Sequence, residues 1–208
     1  MSRVHQKGVL LLISAPSGGG KTTVCTGLLA ANPQLRRAVT CTTRPPRPGE
    51  RDGVDYHFLS VERFLSEVAA GEFLENAQVY GNRYGTRRAE VLTELRAGRD
   101  VLLNIDVQGA ASIRRMAAAD AELGAALVTV FLTPATRTEL EARLRGRGSD
   151  PEEVIQRRMA AAAGEVAEVP HFDYLLVSGT REEDQRRAQA VYEAEKIRRH
   201  RVEFGFGD

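Results

Sequence analysis

The run SAPSGGGKTT at residues 14–23 concentrates residue types that handle phosphate. Gly18, Gly19 and Gly20 let a backbone turn until successive N–H groups converge on anionic oxygens, and a helix opening directly behind them adds the positive end of its dipole. Lys21 then reaches the outer phosphates of a nucleoside triphosphate, and Thr22 offers its hydroxyl to Mg²⁺. Such loops usually open on a further glycine; Ala15 stands there and is small enough for the same turn. Ala15, Pro16, Ser17, Gly18, Gly19, Gly20, Lys21, Thr22 and Thr23 are therefore the candidate nucleotide-binding residues, Lys21 being catalytic and Thr22 a metal ligand. The competing reading is a glycine-rich turn beside a solvated lysine. Strand, loop, Lys-Thr pair and helix in that order argue against it.

The elements that must position this loop are legible from patterning. GVLLLIS at residues 8–14 is a short, wholly apolar run, as a strand buried on both faces of a parallel sheet would be. Similar strands are expected at 37–42, 101–105, 127–132 and 174–177. Helices are expected at 22–31, 87–97, 109–118, 136–145, 151–168 and 181–199, with Asp150 as cap and Pro151 in the first turn of the fifth. Alternation of this kind predicts an α/β fold, a parallel sheet of the P-loop NTPase type with flanking helices. Residues 8–43 and 86–208 read as the core, 44–85 as an insertion and 145–162 as a hinged, arginine-rich lid. Residues 1–7 read as a loose tail that includes His5, 116–126 as a surface helix end and loop, and the closing EFGFGD is too short to assign.

Composition sets further bounds. A chain of 208 residues, 42% hydrophobic, suits one core with attachments. Lys plus Arg number 29 against 28 Asp plus Glu, which gives no general reason to expect nucleic acid or a membrane as partner. The two cysteines, Cys25 and Cys41, lack metal-ligand or redox spacing and read as packing residues. No leader or membrane-length apolar run is evident, so a cytoplasmic location is expected.

The insertion bears on what receives the phosphoryl group. TTRPPRPGE at residues 42–50 holds Arg44 and Arg47 three apart in a proline-bounded turn, where two guanidinium forks can clamp a phosphate dianion. Taken alone, such a pair is more often a solvated surface feature. VDYHF, GEFLENAQVYGNRYGT and LLNIDVQG follow in order, and with the loop they resemble guanylate kinase along nearly the whole chain. That resemblance implies that Arg44, Arg47, Tyr56 and Tyr84 hold the GMP phosphate while Thr40, Glu75, Thr86 and Asp106 surround the guanine. The chemistry agrees, since guanine carries donors at N1 and N2 that suit carboxylates, whereas adenine turns an acceptor toward them.

RLRGRGSDPEEVIQRRM resembles the lid of the same family, implying that Arg147 and Arg158, with Arg143, close on the phosphates from the ATP side. Arg145 and Arg157 read as solvated. The expected reaction is reversible transfer from ATP to GMP, with dGMP as a further acceptor and Mg²⁺ as cofactor, by a monomer or homo-oligomer; Lys21, Arg44, Arg147 and Arg158 are its catalytic set. Since a phosphate oxygen is already anionic, no general base is needed, and His57, His171 and His200 read as structural or surface residues. The alternative is a noncatalytic phosphopeptide-binding module of guanylate-kinase-like form. Two departures stand out: Asn104 replaces the acidic residue usual two before Asp106, and VSGT at 177–180 replaces an Asn-Asp pair, leaving Ser178 to make any contact there.

Overall fold

A strand that is apolar throughout must be covered on both faces, and that requirement organises the molecule around LLLIS. The computed structural model describes residues 3–79, 81–146 and 151–205. Its strands are β1 (Arg3–Gln6), β2 (Leu10–Ser14), β3 (Leu35–Arg37), β4 (Thr40–Thr42), β5 (Tyr56–Phe58), β6 (Phe73–Val79), β7 (Asn82–Arg87), β8 (Asp100–Asn104), β9 (Leu127–Pro134), β10 (Tyr174–Ser178) and β11 (Val202–Gly205). The α-helices are α1 (Lys21–Ala31), α2 (Val61–Ala69), α3 (Arg88–Arg96), α4 (Val107–Ala119), α5 (Ala121–Ala126), α6 (Arg137–Gly146), α7 (Glu152–Ala167) and α8 (Arg181–Lys196).

β2 is buried along its length at the centre of a parallel sheet ordered β10-β9-β2-β8-β3. Its odd-numbered side chains pack with α1 and α8 through Val24, Leu28, Ala188 and Tyr192. Leu10 and Leu12 face the other way, toward α3, α4 and α5 through Val91, Leu95, Ile113 and Leu123. The result is a three-layer α/β/α core, the expected class. Truncating Leu28, which has no exposed surface, to alanine is expected to cost about 2–5 kcal/mol.

The strand expected over 37–42 is two strands. Ala38 still donates to the carbonyl of Leu102 in β8 at 3.2 Å, but by Thr40 the chain has left the large sheet. β4 joins a second, four-stranded sheet ordered β5-β4-β7-β6, which holds the inserted elements and carries α2. That sheet begins earlier and ends later than the 44–85 insertion read from sequence. α6 and α7 pack on each other through Leu140, Leu144, Ile155, Met159 and Ala162, a small apolar cluster of their own. Pro151 stands at the N-cap of α7, one place before its expected first-turn position, and Asp150 lies outside the described residues.

Two regions are more ordered than their composition suggested. Residues 121–126, expected to be loop, form α5, because Asp120 caps it by accepting from Glu122 and Leu123 N–H, and Leu123 is fully buried. Residues 3–6, expected as a loose tail, pair antiparallel with β11. Asp100 ties the adjoining segments together: it accepts from Val9 N–H at 2.8 Å, the Tyr192 hydroxyl at 2.6 Å and Lys196 Nζ at 2.7 Å. Arg201, buried with Glu195, anchors the chain before β11. No helix among the described residues is long and apolar enough to cross a membrane.

Candidate active site

In an open parallel sheet the strand order reverses between neighbours that leave in opposite directions, and ligands bind at the carboxyl ends there. β2 is that strand, flanked by β8 on one side and β9 on the other. The chain leaves it through the APSGGG loop of residues 15–20: Gly18 has φ 89° and Gly20 φ 96°, conformations that side chains rarely adopt. A Cβ on Gly18 would also stand 2.8 Å from Leu144 Cδ2 of α6. Gly19 N–H donates to Pro16 O at 2.9 Å, closing the turn. α1 then starts with Gly20 as cap, no side-chain capping bond and no acidic residue in its first turn. Its leading N–H groups and dipole thus remain available to an anion.

Residues 15–23 line a cleft of about 320 Å³ with Asp106 and Glu165. All nine expected loop residues are therefore brought together. Lys21 Nζ donates to Ile105 O at 2.8 Å, next to Asp106. Burial lowers its pKa from the ordinary lysine value, opposed by the charges of Asp106, Cys25 and Glu165. Thr22 is exposed to the cleft, and Asn104, last in β8, is exposed as well. Glu165 of α7 was not anticipated: it accepts from Ser17 N–H at 3.3 Å, and burial raises its carboxyl pKa. No motif marks it, since only the packing of α7 brings it to the loop.

The acceptor residues are assembled by strand register. Thr40 is paired with Tyr56, Thr42 with Tyr84, and Glu75 with Thr86. Glu75 is only 7% exposed and accepts from Thr86 Oγ1 at 2.7 Å. Its pKa is raised, first by burial and further by Asp106. Asp106 also accepts from Gly109 N–H at 2.9 Å as the cap of α4, a structural duty that its motif did not reveal. A Cβ on Gly109 would lie 3.5 Å from Glu75 Oε2, so both carboxylates meet over the start of α4.

Arg44 Nη2 contacts both oxygens of Glu50, at 2.8 and 2.9 Å, and its Nη1 donates to Pro45 O at 2.6 Å. Glu50, and to a lesser degree Tyr84, hold that guanidinium charged above its usual range. Arg47 N–H donates to Glu50 Oε2 at 2.8 Å, leaving its side chain exposed. The rings of Tyr56 and Tyr84 meet edge to face at 6.2 Å.

On the side of α6 and α7, Arg143 donates to Ser178 Oγ at 3.0 Å and to Glu139 at 2.6 Å. Ser178 Oγ in turn donates to Asp184, which also accepts from Gly179 N–H. A Cβ on Gly20 would lie 3.8 Å from Arg143 Nη1, so this guanidinium borders the loop. Arg158 is half-buried on α7, whereas Arg157 is exposed. Arg145 pairs with Glu141 and Glu152 at the surface. Arg147 lies outside the described residues. His57 contacts Glu90 at 2.9 Å, away from the loop, and both cysteines are free and buried.

A family model described as guanylate kinase matches residues 7–195. The chain belongs to the guanylate kinase family. It is 46% identical to the guanylate kinase of Paramagnetospirillum magneticum over 95% of this chain and 90% of that one. It is 44% identical to that of Zymomonas mobilis over 96% and 89%. The crystal structure of guanylate kinase from Anaplasma phagocytophilum is 31% identical, with TM-score 0.71, over 96% of this chain and 92% of the other. In this guanylate kinase fold Asp106 links the two halves of the candidate site: it lines the phosphate-loop cleft, and its charge helps raise the pKa of Glu75.

Proposed function

We propose that the chain transfers a phosphoryl group reversibly between ATP and GMP, with the triphosphate on residues 15–23 and GMP on the small sheet. The observation that carries this is the position of Asp106 between the two, lining the cleft with Lys21 and influencing Glu75. Glu75 and Asp106 accept from the N1 and N2 donors of guanine, while Thr40 and Thr86 supply hydroxyls to its acceptor edge. Leaving the buried Glu75 carboxylate, and Asp106 beside it, without guanine's donors disfavours AMP by about 10⁴-fold or more. Arg44, Arg47, Tyr56 and Tyr84 hold the GMP phosphate, which attacks without loss of a proton.

The loop glycines, the uncapped start of α1 and the exposed Thr22 hydroxyl fit a Mg²⁺-triphosphate, so Thr22 would hold the ion. That ion would neutralise charge on the outer phosphates. Lys21 leaves the Ile105 carbonyl for the transferring group, and Arg143, Arg147 and Arg158 bring positive charge from the other side. α6 and α7 act as a lid that excludes water during transfer. We further propose dGMP as an acceptor and a cytoplasmic setting. A noncatalytic phosphopeptide module is disfavoured by the retained Lys21 and Thr22.

One assay tests the reading. ADP formation is measured with GMP, dGMP, AMP and UMP across a Mg²⁺ titration; activity with GMP and dGMP alone is expected. Equal rates with AMP and GMP would sink the guanine assignment, and phosphopeptide binding without ADP formation would favour the module.

A further inference from the structure

Tyr56 has a second cationic neighbour besides Arg44. Arg37, last residue of β3, projects from the carboxyl end of the large sheet with its Cζ 5.7 Å from the Tyr56 ring centroid. Arg44 Cζ lies 5.4 Å from the same centroid. One tyrosine ring thus receives guanidinium groups from both sheets, with Tyr84 at its edge. Arg37 differs from its neighbours in how it is paired. Arg36 has Glu94, Arg44 has Glu50 and Arg87 has Glu67, but among the described residues no carboxylate pairs with Arg37.

Its position relative to the donor half is also informative. The charge of Arg37 reaches Cys25 in α1, one turn beyond Lys21, where it helps oppose the burial that pushes the thiol up to about 12. An exposed, unneutralised guanidinium therefore stands between the helix behind the phosphate loop and the tyrosine of the acceptor site. A cation held solely by an aromatic face retains its charge and its N–H donors for an incoming anion.

We propose that Arg37 is a third arginine positioning the acceptor nucleotide, attracting and orienting the GMP phosphate held at Tyr56 and Arg44. This rests on the reading that Tyr56 and Arg44 hold that phosphate. No motif marks the position, because Arg37 lies outside the TTRPPRPGE turn, at the start of what reads as a strand.

The test compares Arg37→Ala and Arg37→Lys with the parent protein, varying GMP at saturating ATP and using guanosine, which lacks the phosphate, as a competitor. Arg37→Ala is expected to raise KM for GMP about five-fold, with kcat falling less than two-fold and guanosine inhibition unchanged. Arg37→Lys should recover most of the loss, and high salt should shrink the difference. An unchanged KM for GMP, or an equal loss for guanosine and GMP, overturns the proposal. Tyr56→Phe and Arg44→Ala are measured in parallel. If neither raises KM for GMP, the phosphate-site reading fails and the proposal falls with it; if both do and Arg37→Ala does not, only the proposal fails.

Discussion

Glu75 Oε1 accepts a hydrogen bond from Thr86 Oγ1 at 2.7 Å, and both side chains are buried. Hydrogen bonding from the side chain and backbone of Thr86 does not offset the loss of water, and burial raises the carboxyl pKa above the ordinary value of 4.5. A group whose folded pKa is raised binds more protons in the folded state, so its contribution to stability falls as pH rises from the unfolded value through the folded one.

Glu75→Gln is therefore expected to fold and to melt at or above the parent's temperature, with its advantage appearing as pH rises above about 4.5. The same substitution replaces an acceptor with an amide and should weaken discrimination of GMP from AMP. Melting curves across pH, beside kinetics with both nucleotides, separate the effects. Failure to fold at any pH would make Glu75 a structural residue. In the parent, GMP affinity should drop as pH falls through the raised pKa, because a protonated carboxyl no longer accepts from both guanine donors.

Glu50 holds Arg44 and also the backbone N–H of Arg47, so one carboxylate sets the shape of the whole phosphate-clamping turn. Glu50→Gln is expected to raise KM for GMP about ten-fold while leaving KM for ATP unchanged, since a misplaced clamp forfeits its orienting effect. A lowered KM would mean instead that Glu50 competes with the phosphate for Arg44. Steady-state kinetics with each substrate varied in turn distinguishes the two.

Lys21 offers a sharper test of the donor half. Its bond to the Ile105 carbonyl shows a long side chain already directed along the cleft rather than into solvent. Lys21→Ala is expected to lower kcat by roughly 10²–10³-fold, as loss of one oriented charge donor does, with GMP binding by calorimetry little changed. Lost GMP affinity beside unchanged ATP binding would place the lysine on the wrong substrate.

These expectations draw on two kinds of information that the chain carries unequally. The loop was legible because its glycines, Lys21 and Thr22 are contiguous and their context, apolar strand before and helix after, is local. Glu75, Thr86 and Thr40 were legible only through family resemblance; nothing in periodicity says that Glu75 pairs with Thr86, because register between distant strands is set by tertiary packing. Glu165 and Arg37 escaped both routes. Each sits in an unremarkable helix or strand end and acquires its neighbours from another layer of the fold. The break between β3 and β4 was hidden for a related reason: residues 37–42 suit a strand throughout, and the change of partner sheet leaves no mark on the residues themselves.

Asn104 gives the last prediction. It ends β8 opposite Ile13, two residues before Ala15, and its side chain is exposed toward the end of the sheet where the cleft opens. An amide there offers one neutral carbonyl oxygen where a carboxylate would offer charge, and divalent cations of this kind favour charged oxygen ligands, often through water. If Thr22 alone supplies the protein's direct hold, Asn104→Asp should lower the Mg²⁺ concentration giving half-maximal rate by several-fold, on the order expected for one added charge near a partly solvated ion. Because Asn104 is exposed, the melting temperature should not move. The added carboxylate also sets a further negative charge beside the cleft that Asp106 lines, so like-charge repulsion should weaken binding of ATP in the absence of Mg²⁺, a sign opposite to the effect with the metal. Rates measured over a Mg²⁺ titration at fixed ATP, with nucleotide binding measured in chelator, read both signs; an unchanged titration would mean that the triphosphate and Thr22 already fix the ion without help from β8.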